Sequence, residues 1–130
     1  MTSATLTFET RDRICTAIDV GISSAWAIKA GPDDQKGIAD ELISLLSPSV
    51  GPITVISVGN LEGLEVICEG LWIFENADKL EENISLSGWI KVRHDINQPS
   101  LKMIFLGESL EKMMRDKNHP LYHFYTLIDP

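Results

Sequence analysis

The sequence predicts an α+β fold: a single globular domain over residues 1–130, with about two or three helices on a mainly antiparallel sheet of about five or six strands. Three observations predict it. A chain of 130 residues has the commonest size for one domain and room for one core. Its composition, 44% hydrophobic and 23% charged, is that of a chain that buries a core and not of a disordered one. Period-two apolar runs sit close together and helical patterns cluster, without a repeating strand-helix-strand rhythm.

The opening SATLTFE alternates Ala4, Leu6 and Phe8 with polar residues and reads as a short strand. Thr10 then caps a helix to Ala30, with Ile14, Ile18, Ile22 and Trp26 four apart and Gly31-Pro32 as its stop. A strand competes with the first half of that helix, because Ile14, Thr16, Ile18, Val20 and Ile22 also alternate and are β-branched. A second helix runs from about Asp33 to Ser47: two acids in its first turn suit the helix dipole, Ile38, Leu42, Leu45 and Leu46 share a face, and Pro48 ends it.

PITVISV (52–58) reads as a buried strand, NLEG as a turn, LEVICEG (64–70) as its hairpin partner, and LWIFENA as an extension past Gly70. ADKLEEN is too short and polar to place. ISLSGWIKVR (84–93) alternates Ile84, Leu86, Gly88, Ile90 and Val92, and after the loop HDINQP the run LKMIFL (101–106) pairs back as a second hairpin. GESLEKMMRDK (107–117) supplies a helix with Leu110, Met113 and Met114 inward, and YHFYTLI closes as a strand.

The net charge of −8 is unevenly spread. Residues 31–82 hold eleven acids and two bases, −9, and the rest of the chain is +1. Such a field repels nucleic acid and anionic membranes and speeds encounter with cationic partners. Arg11, Arg13, Lys91, Arg93 and Lys102 are the basic clusters, each with acids close by, so direct nucleic-acid binding is disfavoured. MTSATLTFETRDR lacks the basic start and apolar stretch of a signal peptide, and the longest apolar runs fall far short of a membrane span, so a cytoplasmic location is expected. Without secretion, Asn83-Ile84-Ser85 carries no meaning as a glycosylation acceptor.

Catalytic and metal motifs fare poorly. HPLYH, His119 to His123, has two histidines four apart, but Pro120 biases His119 away from a helix, and on a strand the two would stand roughly 13 Å apart. Neither arrangement chelates one zinc, so ring stacking beside Tyr122, Phe124 and Tyr125 is the expected use. Cys15 and Cys68 are too sparse for a disulfide framework, and their apolar surroundings raise a thiol pKa instead of activating it. GNLEG has no following Gly-Lys-Ser or Gly-Lys-Thr, and Glu62 would repel a phosphate. Glu65 and Glu69 stand roughly 13 Å apart on a strand, and DDQKGIADE lacks the ligand spacing of a calcium loop. No cofactor and no metal is expected.

The expectation is therefore a non-catalytic protein-binding factor, an inhibitor or immunity or antitoxin-like protein whose acidic face covers a basic site on a partner protein. Asp33, Asp34, Asp40, Glu41, Glu62, Glu65, Glu69 and Glu75 supply the field, and Trp72, within the acidic block, supplies the central contact. The alternative is a structural or assembly subunit, of a viral particle or a homo-oligomer, that self-associates edge to edge through LKMIFL or YHFYTLI. A small enzyme using His94, His119 or His123 is a third reading, with no motif behind it.

Overall fold

The computed structural model describes residues 6–20, 25–58, 69–97 and 100–128. Strands and helices alternate along them: α1 (Phe8–Val20), β1 (Ala25–Lys29), α2 (Pro32–Val50), β2 (Ile53–Ser57), β3 (Gly70–Glu75), a 3-10 turn (Ala77–Glu81), α3 (Ile84–Asn97), β4 (Leu101–Gly107), α4 (Leu110–Arg115) and β5 (Thr126–Ile128). The five strands form one sheet in the order β2-β3-β4-β1-β5, and every pairing is parallel. This corrects the expected α+β fold with a mainly antiparallel sheet: the architecture is α/β, with four helices on the two faces of a parallel sheet.

Burial on both faces explains the strand sequences. Parallel strands covered by helices on each side read as continuous apolar runs, and AWAI, LWIF and MIFL are such runs. Trp26, Ile28, Leu71, Ile73, Ile104 and Leu106 point to one face and pack with Ile14, Ile18, Ile38, Leu42 and Leu46 of α1 and α2. Ala25, Ala27, Trp72, Phe74, Met103 and Phe105 point to the other and pack with Leu80, Ile90, Leu110, Met113, Leu121 and Tyr125. On that side Phe74 and Phe105 stack at 4.7 Å and Trp72 stacks on Trp89 at 5.9 Å.

Several elements differ from expectation. The helix expected from Thr10 to Ala30 is a helix ending at Val20 followed by the strand β1, which carries Trp26 into the sheet. ISLSGWIKVR is helix α3 and not a hairpin strand, so LKMIFL pairs with β3 and β1 instead. LKMIFL is thereby interior to the sheet and offers no edge for assembly, whereas YHFYTLI contributes only its last three residues, as the edge strand β5. Phe8 opens α1 and is no strand residue. The start of SATLTFE, the NLEG turn and most of LEVICEG lie outside the described residues.

Candidate functional site

In open α/β sheets the crevice at the carboxyl ends of the strands, where the connections part in opposite directions, is the usual ligand site. Here that point lies between β1, whose connection through α2 crosses to β2, and β4, whose connection through α4 crosses to β5. The chain's own polar groups bond one another there. Ala30 N–H donates to the Gly107 carbonyl at 2.8 Å. The Gln35 side chain, buried, donates to Ala30 O at 3.0 Å and accepts Asn76 N–H at 2.7 Å. Asp78 accepts Glu108 N–H at 2.7 Å and Ser109 N–H at 2.8 Å. No buried side-chain N or O among the described residues lacks a hydrogen-bond partner. The neighbouring N-terminus of α2 carries Asp33 and Asp34 in its first turn, which repel the phosphate that such a helix end would otherwise attract.

An open concavity lies between α1 and α2. A groove of about 400 Å³ is lined by Arg11, Gly37, Asp40, Glu41, Ser44 and Leu45. It adjoins a second hollow of about 280 Å³ lined by Phe8, Arg11, Asp12, Cys15 and Leu45. On α2 the lining residues recur at three- and four-residue spacing, which puts them on one stripe facing α1. Gly37 leaves that stripe without a side chain and deepens the groove. Glu41 holds the two helices together: its carboxylate accepts Leu6 N–H at 2.7 Å and pairs with the Arg11 guanidinium.

With Arg11 so engaged, Asp40 stands as an exposed acid in the groove and Asp12 as one in the adjoining hollow. Phe8 projects at the mouth, 83% exposed. Burial pushes the Cys15 thiol up from its ordinary pKa, and Asp19 and Asp12 push it further, which disfavours the thiolate at this wall of the hollow.

The residues expected to form an acidic face distribute unevenly. Asp40 and Glu41 meet in the groove, and Asp33 and Asp34 lie one to two turns upstream on the same helix. Glu69 precedes β3 and Glu75 is its last residue, so the two lie at opposite ends of one strand. Glu62 and Glu65 lie outside the described residues. Trp72 is 0% exposed in the core under α3, where it presents no surface to a partner.

Phe8, Arg11, Asp12 and Leu45 line these hollows without being among the residues that charge and composition single out for a binding face. The signal for Phe8 was present, because at 100° per residue it lies about 120° from Ile14, away from the buried stripe, once α1 is begun two residues earlier.

The histidines are structural in their contacts. His119 is buried and bonded to backbone, His94 is buried edge-on to Phe124 at 4.8 Å, and His123 stacks on Tyr122 at 4.0 Å. No group of three or more His, Cys, Asp or Glu side chains among the described residues is placed to hold a metal ion. No described helix is long and apolar enough to cross a membrane. Comparison of the chain with protein-family models, with curated proteins and with solved structures finds no match.

Proposed function

We propose that the chain is a non-catalytic protein-binding factor of the inhibitor, immunity or antitoxin type, and that its α1/α2 groove receives a basic segment of a partner protein. The observation that carries this reading is an exposed acid, Asp40, in the groove beside a second exposed acid, Asp12, and an 83% exposed aromatic ring, Phe8, in the hollow that adjoins it. A carboxylate wall attracts a lysine or arginine side chain, and a ring at the mouth supplies both apolar contact and a face for the cation. The wider acidic excess of residues 31–82 adds steering, which raises the rate of encounter with a cationic surface. Phe8 thus takes the anchoring role that the sequence suggested for Trp72.

The test is an affinity capture from native-host lysate at low salt, run in parallel with wild-type protein and with Asp12→Asn/Asp40→Asn and Phe8→Ala variants. A basic protein held by wild type, released by salt and absent from both variants supports the reading. A partner retained equally by all three places the binding surface elsewhere and overturns it.

A further inference from the structure

Six large apolar side chains stand exposed among the described residues, and three of them are on α3: Ile84 at 50%, Val92 at 48% and Ile96 at 69%. With Gly88 they complete a row at a spacing of four, Ile84-Gly88-Val92-Ile96. This row runs along the side of the helix away from its buried residues Ser87, Ile90 and His94. Nothing lies within 4 Å of where a Cβ on Gly88 would stand, so no neighbour inside the chain requires a glycine there. A glycine in mid-helix is destabilising, and a helix that is apolar on opposite sides is covered on both.

We propose that this row is the interface of a symmetric homodimer, in which α3 packs antiparallel on α3 of a second copy about a two-fold axis that passes between Gly88 and Val92. Three features favour a second copy of this chain over another occupant. First, the row is self-complementary about that axis: Ile84 of one copy meets Ile96 of the other, and Gly88 meets Val92, so that each Val92 sits over the glycine of the other copy in both halves of an isologous contact. Rows of four-residue spacing are the ridges that interdigitate between two helices crossing at about −50°.

Second, the flanking charges complement one another. Lys91 and Asp95 are exposed on the same flank of the row, one turn apart. Helical side chains lean toward their own N-terminus, so across an antiparallel pair each Lys91 leans toward the Asp95 of the other copy. Third, α3 is free of the acidic excess that keeps two copies of a −8 chain apart, since Lys91 and Arg93 oppose the single acid Asp95. One helix pair buries less than the standard interface, so the dimer is weak, with a Kd on the order of 10–100 µM.

The experiment is sedimentation velocity of the full chain at about 0.15 M salt, from well below to well above that concentration range. The sedimentation coefficient of wild type is expected to rise with concentration toward a dimer. Val92→Glu is expected to raise Kd about tenfold or more. Gly88→Leu is expected to raise the thermal stability of the monomer while weakening the dimer, a combination that loss of fold cannot produce. Lys91→Glu is expected to weaken the dimer, and Lys91→Glu combined with Asp95→Lys to restore it. A wild type that stays monomeric throughout overturns the proposal, as does a Val92→Glu protein that dimerises like wild type. A double charge swap no tighter than the single reversal overturns the antiparallel pairing.

Discussion

His119 is tied to Leu80 across 39 positions of sequence: the imidazole Nε2 stands 2.9 Å from the Leu80 carbonyl oxygen. The same ring accepts Leu121 N–H on Nδ1 at 3.1 Å, so the proton must sit on Nε2 and be donated to Leu80. Leu80 O also accepts the Ser87 hydroxyl at 2.9 Å, which makes it the point where the 3-10 turn, α3 and the C-terminal segment are joined.

A neutral ring with its proton fixed on Nε2 is therefore expected for His119, and long-range proton–nitrogen correlation in a ¹⁵N-labelled sample reads this directly. His119→Ala leaves the buried Leu121 N–H without its partner and removes one of the donors to the Leu80 carbonyl, and is expected to cost about 1–3 kcal/mol in urea unfolding. An Nδ1-protonated tautomer, or a loss below about 0.5 kcal/mol, contradicts this account.

Trp72 and Phe8 exchange the roles that composition suggested, and their alanine variants should separate cleanly. Trp72 is enclosed between the sheet and α3 and stacked on Trp89, so Trp72→Ala is expected to cost about 3–5 kcal/mol through the cavity it leaves. Phe8 is mostly in solvent, so Phe8→Ala is expected to stay within about 0.5 kcal/mol of wild type. Thermal melts of the two variants side by side check this.

What was legible in the sequence were the segments whose pattern has one reading. α2 was expected from Asp33 to Ser47 and runs Pro32–Val50, and the strands at PITVISV and LKMIFL were placed within a residue or two. The fold class failed on two segments. β1 continues the four-residue spacing of Ile14, Ile18 and Ile22 at Trp26, so it was absorbed into the preceding helix. α3 imitates a strand because two rows of four-residue spacing, Ile84-Gly88-Val92 outward and Leu86-Ile90 inward, interleave into a period of two. Exchanging those two assignments removes the alternation of strand and helix that marks a parallel sheet. Of the candidate site, the acids of α2 were readable from charge alone. The partner wall was not, because it depends on where α1 begins.

Gly70 and Gly51 share a positive φ, 80° and 77°, but differ in surroundings. A Cβ on Gly70 would collide with the Pro52 carbonyl oxygen, which accepts Leu71 N–H where β3 begins, whereas nothing lies within 4 Å of one on Gly51. Gly51→Ala is expected to cost about 1 kcal/mol, from the backbone conformation alone. Gly70→Ala adds a steric clash with main chain and is expected to cost about 3 kcal/mol or more. Chemical denaturation of both variants checks the order, and equal losses would mean that the approach of Pro52 to β3 is looser than it stands here.

Tyr125 gives the fold an alkaline limit. Its hydroxyl donates to the Leu110 carbonyl oxygen, and its ring packs on Phe105 at 5.1 Å. Burial raises its pKa above the ordinary tyrosine value of about 10, with Asp78 and Glu111 adding repulsion. The sign follows from proton linkage. Above pH ~10 the unfolded chain releases this proton more readily than the folded one, so the contribution is intact below that pH and is lost as pH rises beyond it. Tyr125→Phe is expected to cost about 1 kcal/mol at neutral pH by removing the bond to Leu110. The variant lacks the ionising group, so the gap between it and wild type should narrow from pH ~10 upward. Urea midpoints of the pair at pH 7, 9, 10 and 11 measure this, with the lysines and Tyr122 cancelling in the difference. A gap that stays constant across that range would show that the hydroxyl ionises as easily folded as unfolded, and would contradict its burial against Leu110.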